Sequence, residues 1–167
     1  MTEGERSLVT ITTDDLLRLA RIAQLDRENF FARNPSYRAL AERAVAVALC
    51  QGAALHFLDG RNGVKDFDVW TFFAAHPDTK WPPRRPVVAR DFGDPRFGRS
   101  PDRPEFVGRK VDLLGRSIEA EADADPAVAL RAYLSEGRTS SAYHLARKAV
   151  VVIEPTDRLG EVVWPVR

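Results

Sequence analysis

The sequence predicts a domain of the α/β (α+β) class. Two kinds of segment indicate this class: short apolar runs typical of buried strands, and longer segments in which apolar residues recur at helical spacing. The chain of 167 residues is long enough for one domain with its own core, and neither an internal repeat nor a linker divides it. We therefore expect a single domain over residues 1–167, with a proline- and arginine-rich excursion at about residues 77–107.

Composition and charge exclude several classes of protein. The formal net charge is +1, so any binding to nucleic acid must come from local patches. A single cysteine cannot form an internal disulfide; this fits a reducing compartment and excludes a cysteine-rich zinc site. No apolar run approaches the roughly 20 residues of a membrane span, and the N-terminus MTEGERSLVT lacks the features of a signal peptide. We expect a cytoplasmic protein with no membrane partner.

The first third of the chain predicts two helices and a strand, after a segment over 7–11 that pairs only weakly. Thr12-Thr13-Asp14-Asp15 resembles a capping box, so a helix is expected from about residue 13 to residue 24. Asn34-Pro35 indicates a second helix, which should pack against a sheet. The run VAVALC at 45–50 fits either a buried strand or the end of that helix. We favour the strand, because Gly52 follows closely.

The rest of the chain predicts further strands and helices. The segment 65–73 is the clearest strand, since it is rich in β-branched and aromatic residues. The other expected elements, in chain order, are a helix over 53–58 ending near Gly60, a short strand over 87–90, a strand over 109–118, a helix from Pro126 to about Glu136, a helix capped by Ser140 or Ser141, and a strand over 149–153. We expect the C-terminal tail to be peripheral.

Two carboxylates, Asp66 and Asp68, lie one residue apart inside the clearest predicted strand. Side chains at i and i+2 of a strand point to the same face, so these acids project together while Phe67 points to the other side. Asp112 lies in a second strand-like run. Carboxylates on strands suit a magnesium site, since Mg²⁺ prefers carboxylate oxygens. The alternative is that Asp66 and Asp68 are solvated acids at a strand end and that Asp112 is unrelated to them.

The order Gly52, then Asp66-Phe67-Asp68, then Asp112 resembles the nucleotidyltransferase superfamily that includes DNA polymerase β, particularly its small bacterial members. The resemblance implies a mixed β-sheet with helices mainly on one face. It also implies metal-dependent transfer of a nucleoside monophosphate from a nucleoside triphosphate to a hydroxyl acceptor on RNA, protein or a small molecule. Asp66 and Asp68 would bind Mg²⁺ or Mn²⁺. Asp112 would join the metal that activates the nucleophile and act as the base, or as the group that orients the base, for that nucleophile.

The glycine turn departs from the pattern of that superfamily. Relatives carry Gly-Gly or Gly-Ser where this chain has Gln51-Gly52-Ala53, so Gly52 alone remains to cradle phosphate. Lys65 is a further candidate phosphate contact, with a solvated turn charge as the alternative reading. The departure keeps a second hypothesis open: a catalytically degenerate binding or regulatory module, such as a member of a toxin–antitoxin pair. An unrelated structural α/β domain is a third.

Basic residues, among them Arg84 and Arg85, outnumber acidic ones between residues 80 and 116. This loop is a candidate surface for an RNA or protein acceptor, and the alternative is a solvated arginine-rich loop. The candidate base-stacking side chains in the loop are Trp81, Phe92 and Phe97.

The remaining candidate residues with polar or reactive side chains have simpler structural explanations. The resemblance makes Ser140, Tyr143 and Lys148 candidate triphosphate contacts, whereas a helix cap, a core residue and a surface charge are the respective alternatives. We assign no catalytic role to His56, expected in the core or at a pocket rim, or to Cys50, expected to be an inert core residue.

Overall fold

A computed structural model describes residues 6–82, 87–137 and 139–166. Its sheet is built from β1 (Ala44–Cys50), β2 (Phe67–Ala74), β3 (Val88–Asp91), β4 (Lys110–Ile118), β5 (Val150–Glu154) and β6 (Val162–Trp164). The helices are α1 (Thr13–Arg33), α2 (Gln51–Asp59), α3 (Pro126–Glu136) and α4 (Ser140–Ala146), with short 3₁₀ helices at Pro35–Leu40, Pro95–Phe97 and Thr156–Arg158. Within the described ranges, no helix is both long and apolar enough to cross a membrane.

The strands form one mixed sheet in the order β3-β4-β2-β1-β5-β6. Strands β2 and β4 are parallel, whereas β1 pairs antiparallel with both β2 and β5. A parallel pair needs a long crossover connection, and the chain between β2 and β4 supplies it together with the edge strand β3. The predicted α+β class and mixed sheet are confirmed.

Helices cover both faces of the sheet, so the expectation that they lie mainly on one face is wrong. Helices α1 and α2 pack on the side of Val47, Leu49 and Val69. Helices α3 and α4 pack on the opposite side, against Ala48 and Val152. The reason lies in β1 and β5, whose consecutive residues are nearly all buried: strands that are apolar on both sides need a layer on each.

Helix α1 is longer than predicted, and the predicted second helix is short. The expected capping box is present, because the Thr12 side chain accepts from the backbone N–H of Asp15 while the Asp15 carboxylate accepts from that of Thr12. Helix α1 continues past residue 24 to Arg33, and Asn34 with the following proline ends it. After Asn34 only the 3₁₀ helix Pro35–Leu40 forms, because β1 begins at Ala44.

The proline- and arginine-rich excursion contributes side chains to the core. Trp81, Phe92 and Phe97 are 6%, 1% and 1% exposed, so the prediction that they are available for base stacking is wrong. The ring of Phe92 stacks on that of Phe67 with centroids 4.9 Å apart, and Trp81 stacks on Phe73 at 4.7 Å. Burial of these large rings ties the excursion to the sheet.

The C-terminal tail is not peripheral, since it forms β6 and pairs antiparallel with β5. The indole N–H of Trp164 donates to the carbonyl of Ala146 at 2.6 Å, which links the tail to α4. The tail therefore covers an edge of β5 that would otherwise present unpaired backbone groups.

Candidate active site

The three predicted acids lie near the starts of two parallel strands, on the side of the sheet that carries α3 and α4. Asp68 and Asp112 are direct partners in the β2–β4 register, which places their Cα atoms about 5 Å apart. Asp66 precedes Asp68 by two residues and interacts electrostatically with both other acids. The intervening Phe67 and Val111 are fully buried on the opposite side. The sheet register therefore gathers carboxylates that are distant in the chain.

The electrostatics of these acids reflect crowding of like charge in a partly buried place. Burial raises the pKa of Asp68 to about 6, and the neighbouring charges of Asp112 and Asp66 contribute to that rise, against the opposing effect of Lys110 and Lys148. Burial also raises the pKa of Asp112, with Asp66 adding to the shift and Lys110 opposing it. Both carboxylates would release protons more readily beside an additional cation.

Lys110 is a member of this site that the sequence reasoning missed. Its ammonium lies 3.5 Å from a carboxylate oxygen of Asp102 and 3.9 Å from one of Asp112. Burial alone would lower the pKa of Lys110, but Asp112, Asp66 and Asp102 raise it, so the side chain carries its charge. The signal was available in the sequence, because Lys110 precedes Asp112 by two residues and so shares its face of the strand.

The acids fit a divalent cation in one respect and require rearrangement in another. The Oδ1 atom of Asp66 is buried and has no hydrogen-bond partner in the part of the chain that the structure describes, an arrangement that a bound cation would satisfy. Across the same residues, no three Asp, Glu, His or Cys side chains stand close enough together to enclose a metal ion. The contact of Asp112 with Lys110 draws that carboxylate toward the ammonium. Binding a cation would therefore require the carboxylates of Asp66, Asp68 and Asp112 to move closer together.

The glycine turn lies beside these acids, because Cys50 at the end of β1 pairs with Asp68. Gln51 opens α2 with a φ of 62°, a left-handed conformation that a residue other than glycine rarely adopts. A Cβ on Gly52 would lie 3.0 Å from the guanidinium of Arg6, so the glycine makes room for that cation. The amide of Asn62 donates to the Gly52 carbonyl at 2.9 Å and fixes the turn. Ala53 is buried under it.

The other candidate phosphate contacts lie in different parts of the structure. Lys65 is exposed in the turn before β2. Lys148 acts electrostatically on Asp68 and thus belongs near the acids. Ser140 is the first residue of α4, but Thr139 is its cap, accepting from the N–H of Ala142, so the prediction of a serine cap is wrong. Tyr143 is 59% exposed, which contradicts its reading as a core residue.

His56 and Cys50 have structural roles. The buried His56 ring lies 2.9 Å from the Val9 carbonyl through Nε2, and its Nδ1 accepts from the N–H of Gly63 at 2.9 Å. It thereby holds the N-terminal segment, which otherwise pairs through a single bridge between Ser7 and Val64, against the turn before β2. Cys50 is fully buried, and burial raises the pKa of its thiol, as expected of an inert core cysteine.

Much of the charge of the basic loop is used inside the protein. Arg90 pairs with Asp26, Arg96 with Asp15, and Arg103 with Glu105, while Arg109 donates to the carbonyl of Phe97. Arg84 and Arg85 lie outside the described residues. These internal pairs favour the reading of the loop as structural, at least for its described part.

A cavity of about 610 Å³ lies farther along β2 and β4 than the acids, which are not among its lining residues. Trp70 and Leu114 line it, and each is two residues beyond an acid on its own strand, about 7 Å along. Arg116 and the side chains of α3 and α4, including Tyr133 and Ser141, form further walls. Sequence reasoning missed this cavity, because it depends on where α3 packs. Its volume lies within the roughly 300–1,000 Å³ typical of small-molecule sites.

Comparison of the chain with protein-family models, with curated proteins and with solved structures finds no match.

Proposed function

We propose that the protein is a metal-dependent nucleotidyltransferase, which moves a nucleoside monophosphate from a nucleoside triphosphate to a hydroxyl group of an acceptor. One observation carries the proposal: Asp68 and Asp112 face each other across two parallel strands, beside the glycine turn that follows β1. Three carboxylates next to a backbone turn at the start of a helix suit a triphosphate and the divalent cation that accompanies it.

The acids have separate roles in this proposal. Asp66 and Asp68 hold the divalent cation, Mg²⁺ or Mn²⁺, and Asp112 joins them on the side of the attacking hydroxyl. When bound, the cation neutralises the triphosphate and lowers the pKa of the attacking hydroxyl. The orphaned Oδ1 of Asp66 and the raised pKa of Asp68 both support a cation at this place.

The transfer forms one bond and breaks another. The acceptor oxygen bonds to the α-phosphorus, and the bond from that phosphorus to the bridging oxygen of the leaving group breaks, its electron pair departing with pyrophosphate. Asp112 accepts the proton of the acceptor hydroxyl. Burial raises the pKa of Asp112, and a carboxylate with a raised pKa is a stronger base than an exposed one.

Positive charge around the turn favours the triphosphate. Gly52 allows phosphate oxygens to approach the backbone amides at the start of α2. The Arg6 guanidinium lies in the space beside Gly52, where it would add positive charge next to a phosphate. Lys148 lies near enough to Asp68 to influence its ionisation, and it completes the positive surroundings.

The second candidate is a catalytically degenerate module that keeps the fold and binds a partner. Two observations favour it: the ammonium of Lys110 lies where it neutralises Asp112, and the turn retains only one glycine. In that case the acids would form an internal ion-pair network and would bind no triphosphate.

Calorimetric binding of ATP, GTP, CTP and UTP in the presence of Mg²⁺ or Mn²⁺ separates the two candidates. The wild type is compared with Asp66→Asn/Asp68→Asn and with a control that removes two exposed acids, Asp78→Asn/Asp123→Asn. We expect metal-dependent binding of at least one triphosphate by the wild type and the control, and its loss in the first variant. Absence of binding to all four by the folded wild type would overturn the proposal in favour of the degenerate module.

A further inference from the structure

We propose that the cavity beside the acids is the acceptor site, and that it takes a single nucleotide unit, with its base among the aromatic side chains and its phosphate near Arg116. The assignment of the cavity as the acceptor site rests on the proposed function. The binding of a nucleotide to the cavity does not depend on it.

The position of the cavity distinguishes it from the place of the donor triphosphate. The glycine turn and Arg6 lie on the β1 side of Asp68, whereas the cavity lies over β2 and β4. Its walls at Leu114 and Arg116 follow Asp112 along β4, on the same face of the strand. Asp112 is the acid assigned to the attacking hydroxyl, so the compound that carries this hydroxyl enters from the cavity.

The lining combines aromatic rings with a cation. Trp70 is half-buried, with its ring 6.1 Å from that of Phe72 and a near-parallel orientation, and its other surface contributes to the cavity. Tyr133 stands on the opposite wall, contributed by α3, and its hydroxyl is held by Thr139 at 3.1 Å. Base–aromatic stacking is worth about 1–3 kcal/mol per base, so two rings suffice to select a planar heterocycle.

Arg116 differs from several basic residues of the proline- and arginine-rich excursion and of β4. In the part of the chain that the structure describes, Arg90, Arg96, Arg103 and Lys110 each pair with a carboxylate, and Arg116 does not. Its guanidinium lies over the Tyr133 ring at 6.0 Å and donates to the Ser141 hydroxyl at 3.2 Å. These contacts orient the guanidinium of Arg116 and leave its other N–H groups to bind an anion. A guanidinium fixed in this way matches the bidentate geometry of phosphate.

The cavity reaches past β4 to Trp81, which packs with Phe31 and Phe73 on the side of the sheet that carries α1. A Cβ on Gly115 would lie 2.6 Å from the Trp81 indole, so only glycine lets this ring lie against β4. The backbone N–H of Trp81 donates to the Ser117 hydroxyl at 2.9 Å. Glu119 and Glu136 stand exposed among the lining residues, where carboxylates can accept from ribose hydroxyls. A volume of about 610 Å³ is of the size that takes a small molecule such as one nucleotide.

Binding of nucleoside monophosphates to the metal-free protein tests this inference. AMP, GMP, CMP and UMP are titrated by calorimetry, with adenosine and ribose 5-phosphate as probes that lack one of the two recognised groups. We expect at least one monophosphate to bind at least tenfold more tightly than either partial probe. Arg116→Gln and Trp70→Leu should each weaken that binding at least tenfold, while Arg21→Gln, which removes an exposed arginine of α1, should leave it unchanged.

Two results would overturn the inference. One is the failure of all four monophosphates to bind the wild type, and the other is unchanged binding in both cavity variants. The Asp66→Asn/Asp68→Asn variant separates this inference from the proposed function. It should retain monophosphate binding even though it loses the triphosphate, and monophosphate binding by a protein that binds no triphosphate would keep the cavity site while removing the transfer reaction.

Discussion

The two sides of β2 and β4 carry different kinds of side chain. On the side of α1 and α2, Phe67 and Val111 are completely buried, and the rings of Phe92 and Phe97 pack around Phe67. On the other side, the adjacent residues Asp68 and Asp112 are only partly buried and crowd like charges together. Phe67 and Val111 therefore stabilise the fold, whereas the neighbouring Asp68 and Asp112 carry the candidate chemistry.

This difference shows how the site obtains its geometry. The apolar side sets the register of β2 against β4, and a shift by one residue would expose Phe67 and bury the acids. The acids repel each other, so their proximity must be maintained by packing on the opposite side. Four changes test this division, and they are arranged from the largest expected effect to the smallest.

Phe67→Ala should cost about 3–5 kcal/mol of unfolding free energy, because it leaves a cavity among closely packed aromatic rings. Urea denaturation at neutral pH measures this loss. Lys65→Ala, which truncates an exposed side chain just before β2, is the matched control and should change the stability by less than about 0.5 kcal/mol. A cost below about 1 kcal/mol for Phe67→Ala would mean that the apolar side does not hold the strands together.

Asp68→Asn should have the opposite sign, and its effect should depend on pH. The pKa of Asp68 is raised from 3.8 to about 6, so the folded protein binds this proton more tightly than the unfolded chain. The contribution of this carboxyl group to stability is therefore fully present below about pH 4 and is lost as the pH rises through about 6. The variant, which cannot ionise here, should exceed the wild type at pH 7.5 by at most about 3 kcal/mol.

The pH dependence is the informative part of the Asp68→Asn measurement. Denaturation at pH 4 and pH 7.5 in the absence of metal should show the stabilisation only at the higher pH. The exposed Asp78→Asn substitution should show none at either pH. An Asp68→Asn variant that is less stable than the wild type at pH 7.5 would mean that the ionised carboxylate already has a compensating partner.

Gly115→Ala tests the wall between the cavity and the core. The added methyl group would lie 2.6 Å from the Trp81 indole, so the ring must move. Overpacking of this kind costs about 1–3 kcal/mol. The displacement can be followed through tryptophan fluorescence together with urea denaturation. Gly137→Ala provides a comparison, since nothing surrounds its Cβ position, although its φ of 59° adds backbone strain. An unchanged Trp81 environment would contradict the proposed packing.

Thr12→Ala should produce the smallest change, a loss of about 0.5–2 kcal/mol, because it removes the side-chain acceptor that caps α1. This helix covers the apolar side, so the loss should not alter nucleotide binding. Thr13→Ala, at the first residue of the helix, is the control and should have little effect on thermal unfolding. A Thr12→Ala variant as stable as the control would indicate that the capping box contributes nothing.

Local sequence signals predicted most elements that begin or end at a distinctive residue. The glycine at position 60 ends α2 in a left-handed conformation, and Pro126 opens α3 as expected. The alternation of acid and apolar residues in β2 predicted that Asp66 and Asp68 share a face, and the parallel pairing with β4 places Asp112 opposite Asp68. The divalent cation and the reaction remain predictions.

Features that depend on tertiary packing could not be read from local sequence. The length of α1 follows from continued packing, since Phe31 meets Phe73 and Trp81 far along the chain. Trp81 was predicted to stack on bases because it lies among prolines and arginines, yet the space beside Gly115 draws it into the core. The cavity requires α3 to lie across from Trp70, and no local pattern in either segment specifies that placement.

Thermal unfolding at pH 7.5 with increasing Mn²⁺ tests most directly the central claim that the acid side binds a divalent cation. A ligand present at about 100 times its dissociation constant stabilises the folded state by about 2.7 kcal/mol, which corresponds to a rise in Tm of several degrees for a chain of this size. We predict this rise for the wild type and for Asp78→Asn, and none for Asp66→Asn/Asp68→Asn. A wild-type Tm that does not respond to Mn²⁺, or an equal rise in the variant without the two acids, would contradict the account.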